Sequence, residues 1–169
     1  MPLLLRQIRK SKWYKTSDVD WLREGELQAD ALGDISTSSN SLSVWEITEP
    51  ESNLDVVIAA LAAGRDAVSN FDFALFTQRR VLESDITIKN SSGKTCDEQV
   101  NQFHRELTEL SSGKLFALAK IIQDDAKRER WQEPKVLGLI SSAIATGRFK
   151  ADVLPKNIKN RLDKYTRNS

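Results

Sequence analysis

Gly93-Lys94-Thr95 lies between a short strand-like stretch, Ile86 to Ile88, and a run that reads as helix. Strand, polar loop, Gly-Lys-Thr and helix is the order of a phosphate-binding loop, where helix-start amides and a lysine receive phosphate. That motif needs a glycine five positions before Gly93, and Ile88 stands there. The expectation is a plain capped helix start, with no nucleotide requirement at Lys94. Cys96 and His104 are the one cysteine and the one histidine of the chain. A thiolate within reach of an imidazole would make a nucleophile and its base. If both residues lie on one helix, their spacing puts them about 12 Å apart along its axis, beyond any hydrogen bond. His104, beside Phe103 and a turn before Leu107, then reads as a packed or boundary histidine. One Cys and one His cannot supply the four ligands typical of a structural zinc site. A carboxylate-based magnesium site stays open, but no metal and no cofactor is indicated.

Arg6 on a first strand, Ser36-Thr37-Ser38, and the later Glu46, Glu49 and Glu51 form a third set. In these few residues the chain resembles the ADP-ribosyltransferases, which would imply a transferase site. The gap from Ser38 to Glu46 is shorter than in that fold, and Ser and Thr in a loop need no catalytic role.

Two charged sets could meet partners. Arg6, Arg9, Lys10, Lys12, Trp13, Tyr14 and Lys15 combine cations with rings, and Arg148, Lys150, Lys156, Lys159, Arg161, Lys164 and Arg167 could extend the surface. Cations neutralise phosphates and rings stack on bases, so this pattern admits nucleic-acid contact. Asp18, Asp20, Glu24, Glu26, Asp30 and Asp34 could engage a basic partner, with a solvated acidic loop as the plain alternative. The net charge of +1 hides this layout. Residues 1–15 hold five bases and no acid, residues 16–60 ten acids and one base, and residues 131–169 eight bases and three acids. Such blocks either mark partner surfaces or meet in the fold and neutralise each other.

The elements that must position these residues follow from periodicity. Leu3 to Ile8 reads as a first strand, and Ala29 to Leu32 as a helical turn. Leu42 to Ile47 alternates, with Val44 and Glu46 on one face and Ser43, Trp45 and Ile47 on the other. Leu54, Val57, Ile58, Leu61 and Ala62 give a helical stripe that Gly64 ends. Phe71 to Phe76 is nearly all apolar and reads as an interior strand. Ile86 to Ile88 reads as a short edge strand, with Thr87 and Lys89 facing out. Thr95 and Glu98 have capping-box spacing, and Val100, Phe103, Leu107 and Leu110 fall on one helical stripe. Leu115 to Ala126 reads as a second helix ending in the charged run Asp124 to Arg130. Pro134 suits the first turn of a third helix, and Gly147 its stop. A last helix, starting within a residue or two of Asp152, carries Leu154, Ile158, Leu162 and Tyr165 on its packing stripe.

The chain of 169 residues thus reads as one α+β domain, residues 1–169. A small mixed or antiparallel sheet, packed with helices, is expected over about 1–90, and a helical part over about 95–167. The longest apolar run, Val56 to Ala63, is far short of the roughly 20 residues that span a bilayer. With a single cysteine, no internal disulfide can form, and the expected location is the cytoplasm. The expected function is a non-catalytic interaction or regulatory protein whose partner is another protein, with no membrane contact. Nucleic-acid binding through Arg6, Arg9, Lys10, Lys12, Lys156, Lys159 and Lys164 is the second reading. An acidic partner surface at Asp18, Asp20, Glu24 and Glu26 accompanies the first. An enzyme of nucleotidyl- or ADP-ribosyl-transfer type is the third, its catalytic residues unknown.

Overall fold

The computed structural model describes residues 2–13 and 20–168. Tyr14, Lys15 and Asp18 from the charged sets above lie outside the described residues. The fold is α+β, with one six-stranded sheet in the order β4-β5-β2-β1-β3-β6. The strands are β1 (Leu3–Gln7), β2 (Leu42–Ile47), β3 (Phe71–Thr77), β4 (Thr87–Asn90), β5 (His104–Thr108) and β6 (Lys127–Trp131). Every pairing is antiparallel.

Helices cover both faces. On one, α2 (Leu54–Ala63), α6 (Glu133–Ala145) and α7 (Lys156–Asn168) pack over Leu5, Ile47, Phe71, Phe73 and Leu75. On the other, α1 (Ala29–Leu32), α3 (Gln78–Glu83), α5 (Ser112–Lys120) and a π-helical turn over Ile121–Asp125 gather around Leu4, Val44, Ala74, Phe76 and Leu107. β3 is therefore buried from both sides, as its apolar run requires. Its alternation sends Phe71, Phe73 and Leu75 to the first face and Asp72, Ala74 and Phe76 to the second. Leu154, Ile158 and Leu162 of the last stripe are buried on the first face, with Tyr165 packed against them.

Three segments differ from the sequence reading. The stripe from Val100 to Leu110 is not one helix: α4 (Glu98–Asn101) is a single turn, and β5 follows. Two periods compete here, since residues 104–108 also suit a strand in which Leu107 faces the core and His104 and Glu106 face the other way. The cap of α4 is Asp97, which accepts from the amides of Gln99 and Val100, rather than the expected Thr95 and Glu98 box. The charged run after Ala126 is an edge strand rather than a helix tail. On β6, Arg130 reaches Asp72 on one face, and Trp131 meets Phe73 ring-to-edge at 5.3 Å on the other. Finally, α7 begins at Lys156 and not near Asp152. Leu154 precedes Pro155 and is extended (φ −77, ψ 145), so no helix can run through it.

Phe73 is fully buried between α2 and the sheet. Truncation to alanine is expected to cost about 3–5 kcal/mol, the range for a large aromatic in a packed core. Denaturant unfolding of Phe73→Ala checks this, and a loss under about 1 kcal/mol contradicts the central placement of β3.

Candidate functional site

The basic and acidic sets near the N-terminus meet each other in the fold. Arg6 donates from Nε and Nη2 to the Asp34 carbonyl (3.0 and 2.8 Å) and from Nη1 to the Ser43 carbonyl at 2.9 Å. Asp34 is buried, and its carboxylate accepts from the Arg9 amide, Arg9 Nε and Trp13 Nε1 at 2.7, 2.7 and 2.9 Å. Lys12 pairs with Asp30 at 3.3 Å. The Lys10 amide donates to Asp72, whose carboxylate also takes two hydrogen bonds from Arg130 at 2.6 and 2.7 Å. Burial pushes the Asp72 carboxyl up, but the Arg130 and Lys10 hydrogen bonds and charges outweigh it and hold it below the usual carboxylate range. Asp20, Glu24 and Glu26 remain exposed. Their loop is tied down by Lys120 Nζ on the Gly25 carbonyl and Gln123 Nε2 on the Glu26 carbonyl.

At the other end, Lys156 and Lys164 are exposed on α7. Lys159 Nζ donates to the Asp152 carbonyl at 2.9 Å, and Arg161 pairs with Glu133 at 3.3 Å. The N-terminal set belongs to the second face and α7 to the first, so the two basic ends do not share a surface. The transferase-like set is not assembled as an open site either. Glu46 is held by Arg105 at 3.0 Å, and Ser38 sits in a two-residue bridge with Ser41.

The residues that do converge are those around Gly93-Lys94-Thr95. A cleft of about 490 Å³ opens on the first face, beside the end of α2. That volume is within the roughly 300–1,000 Å³ of small-molecule sites. The strand side comes from paired positions of β2 and β5: Ser43 opposite Glu106, and Trp45 opposite His104. The helix side is Ala60, Leu61 and Gly64, and the loop Ser92 to Cys96 closes the remaining wall. Trp45 and His104 meet edge-to-face at 4.9 Å. His104 Nδ1 lies 2.6 Å from Ser91 Oγ, which fixes the ring.

Gly93 is explained by this packing and not by a phosphate. A Cβ there would fall 2.4 Å from the Trp45 ring, so only glycine lets the loop cross the indole. Asn101 then pins the loop, accepting from the Thr95 amide and hydroxyl (both 2.8 Å) and donating to the Thr95 carbonyl at 3.2 Å. Because α4 is one turn long, Cys96 and His104 are not eight helical residues apart. Both line the same cleft, which removes the distance argument against their proximity.

Burial pushes the His104 imidazole below its usual range. Arg105 adds to that effect, while Glu106 and the Ser91 backbone oppose it. The neutral ring can both accept and donate a proton. Burial pushes the Cys96 thiol up, assisted by the charge of Asp97 and opposed by the backbone amide of Cys96. It is a thiol, not an activated thiolate. Neither the Glu106 nor the Lys94 side chain has a hydrogen bond or ion pair among the described residues. Among the described residues no group of three or more His, Cys, Asp or Glu is placed to hold a metal ion, and no helix is long and apolar enough to cross a membrane.

A second cleft, of about 560 Å³, lies between α2 and α6. Its arginine, Arg148, is already neutralised by the buried Asp97 at 2.6 Å. The second cleft also holds the exposed Asp55, but the first is the one that brings a cation, Lys94, and a carboxylate, Glu106, together without a side-chain partner among the described residues. Sequence reasoning singles out Lys94, Cys96 and His104 but misses Ser43, Trp45 and Glu106 as their companions. The available signal is the alternation of residues 104–108, which puts His104 and Glu106 on one strand face. No family model, curated protein or solved structure matches the chain, so a functional reading rests on the geometry alone.

His104 is the single histidine, so its imidazole resonances are unambiguous in an NMR titration. The expected midpoint lies below the ordinary value near 6.5. Unfolded chains then bind more protons than folded ones just below that value. The contribution of His104 to stability is therefore complete above about pH 6.5 and is lost as the pH falls through the folded midpoint. A midpoint at or above 6.5 contradicts the buried placement.

Proposed function

We propose that the chain binds a small polar molecule in the His104 cleft, acting as a regulatory or accessory protein rather than a catalyst. The observation that carries this reading is the convergence of His104, Glu106, Lys94, Ser43 and Ser92 on one cleft of about 490 Å³. A concave site with an apolar floor and a few converging polar groups is what ligand recognition needs. Nucleophilic catalysis would ask in addition for an activated nucleophile, and the raised thiol of Cys96 does not supply one. A cytoplasmic setting is part of the proposal, supported by a fold that needs no disulfide from its lone Cys96.

Ser43 is exposed at the outer end of the cleft, on a strand where an aromatic residue fits. Ser43→Tyr is expected to fill the cleft while shifting the thermal midpoint by no more than about 2 °C. In saturation-transfer NMR with mixtures of small polar compounds, wild type should show binders that move the His104 resonances, and Ser43→Tyr should lose them. Binders unaffected by Ser43→Tyr, or none at all, would sink the proposal.

A second reading has its own support. α7 buries Leu154, Ile158 and Leu162 and leaves Lys156 and Lys164 exposed, so a basic face is free to meet an acidic protein. Lys156→Glu with Lys164→Glu should leave stability nearly unchanged and abolish salt-sensitive co-purification of such a partner. Co-purification with unchanged salt dependence removes α7 from that role. Nucleic-acid contact would ask the two basic ends to share a surface, and no observation supports it.

A further inference from the structure

We propose that the ligand of the His104 cleft is a small polyhydroxylated anion, of the sugar-acid or sugar-phosphate kind. This rests on the reading of the cleft as a ligand site and goes on to name the chemistry that would fill it.

The lining divides into three parts. Its floor is aromatic, with Trp45 and His104 edge-to-face at 4.9 Å. Its hydroxyls come from both walls, Ser43 on the strand and Ser92 on the loop, while the Thr95 hydroxyl is taken up by Asn101 and Asp97. Its charges are opposite and unpaired: among the lining residues Lys94 is the one cation and Glu106 the one carboxylate, and neither has a protein partner among the described residues.

Each simpler ligand leaves one part unsatisfied. An apolar molecule would displace water from Lys94 and Glu106 and return no hydrogen bond, which costs free energy. An inorganic anion would use Lys94 and be repelled by Glu106. A cation would do the reverse. A molecule with one anionic end and several hydroxyls satisfies all three. The anion meets Lys94. Hydroxyls donate to the Glu106 carboxylate and can donate to or accept from Nε2 of His104, the ring nitrogen that Ser91, 2.6 Å from Nδ1, leaves open. Ring or chain carbons lie on the Trp45 floor, and the Ser43 and Ser92 hydroxyls complete the pattern. A zwitterion is the nearest rival. It would use the two charges but leave the two serine hydroxyls and Nε2 of the imidazole without a ligand partner.

The test is calorimetry, with the His104 imidazole resonances followed in parallel, on the full chain. The probes are ribose 5-phosphate, gluconate, ribose, inorganic phosphate, acetate and serine. Ribose 5-phosphate or gluconate should bind at least about tenfold more tightly than ribose or the bare anions, as one charge-assisted hydrogen bond implies. Lys94→Ala should erase most of the gap between ribose 5-phosphate and ribose. Glu106→Gln should weaken ribose and the other hydroxylated probes about tenfold relative to inorganic phosphate, whose own binding should tighten as the repelling charge is lost. Both variants change solvent-facing groups, and an unchanged thermal midpoint confirms their fold. If serine binds most tightly, or if hydroxylated and bare anions bind alike, this ligand class is wrong while the cleft reading stands. If none of these probes moves the His104 resonances, the class is again wrong, and the Ser43→Tyr comparison with other compounds decides the cleft reading separately.

Discussion

The candidate site depends on the pairing of β2 with β5. That register sets Ser43 against Glu106 and Trp45 against His104, the strand wall of the cleft. Side chains alternate with a period of two, so a slip of one residue would turn every side chain of the slipped strand to the opposite face. The polar residues themselves do little to forbid the slip. Their neighbours on the other face do: Leu42 faces Leu107, Val44 lies two residues further along β2, and all three are buried in the second core. A slip would carry such side chains out of that core. The apolar face thus fixes the geometry that the polar face uses.

Three buried carboxylates do similar work for the rest of the chain. Asp34 and Asp72 grip the segment Arg9 to Trp13 from two directions, and Asp97 joins α4 to Arg148 beyond α6. A buried carboxylate is costly unless its lone pairs are met. Each of the three accepts at least three hydrogen bonds, from backbone amides as well as side chains. The uneven charge layout of the sequence is resolved in this way. The strongly basic start and part of the acidic stretch after it are internal partners, which leaves fewer of those charges for an outside surface.

Much of the fold is legible in the sequence where one period dominates. In α2 the apolar stripe has no competitor, and in β3 an unbroken apolar run suits only an interior strand. The stretch 98–110 misleads because Val100, Leu107 and Leu110 satisfy a helical spacing, whereas the strand alternation of His104, Glu106 and Thr108 is carried by polar residues that hydrophobic patterning ignores. β6 escapes detection for a related reason. Its sequence Lys-Arg-Glu-Arg-Trp has almost no apolar content, and its place in the sheet depends on Asp72 and Phe73, more than fifty residues earlier. The cleft itself is half legible. Lys94, Cys96 and His104 stand out as chemistry-bearing, but their neighbours Ser43 and Trp45 lie about fifty or sixty residues away in sequence. Only the sheet brings them together, and no local pattern encodes that.

The cleft exists because the first face is covered unevenly. α2, α6 and α7 pack over β1, β2 and β3, and α2 ends at Gly64 before the sheet does. The β5 side of that face is walled instead by the loop Ser92 to Cys96. Polar residues there need no special cause in themselves, since a strand face without a helix meets water. Two details go beyond that. His104 is only 8% exposed, and its ring is fixed by both Trp45 and Ser91, a degree of order that a solvated strand does not need. The loop also accepts the constraint of Gly93 against the indole in order to keep Lys94 and Thr95 at the rim. An aromatic floor, a fixed imidazole and two opposite charges without a side-chain partner among the described residues are what the proposed binding role would use, since groups already held in place cost less to order on binding.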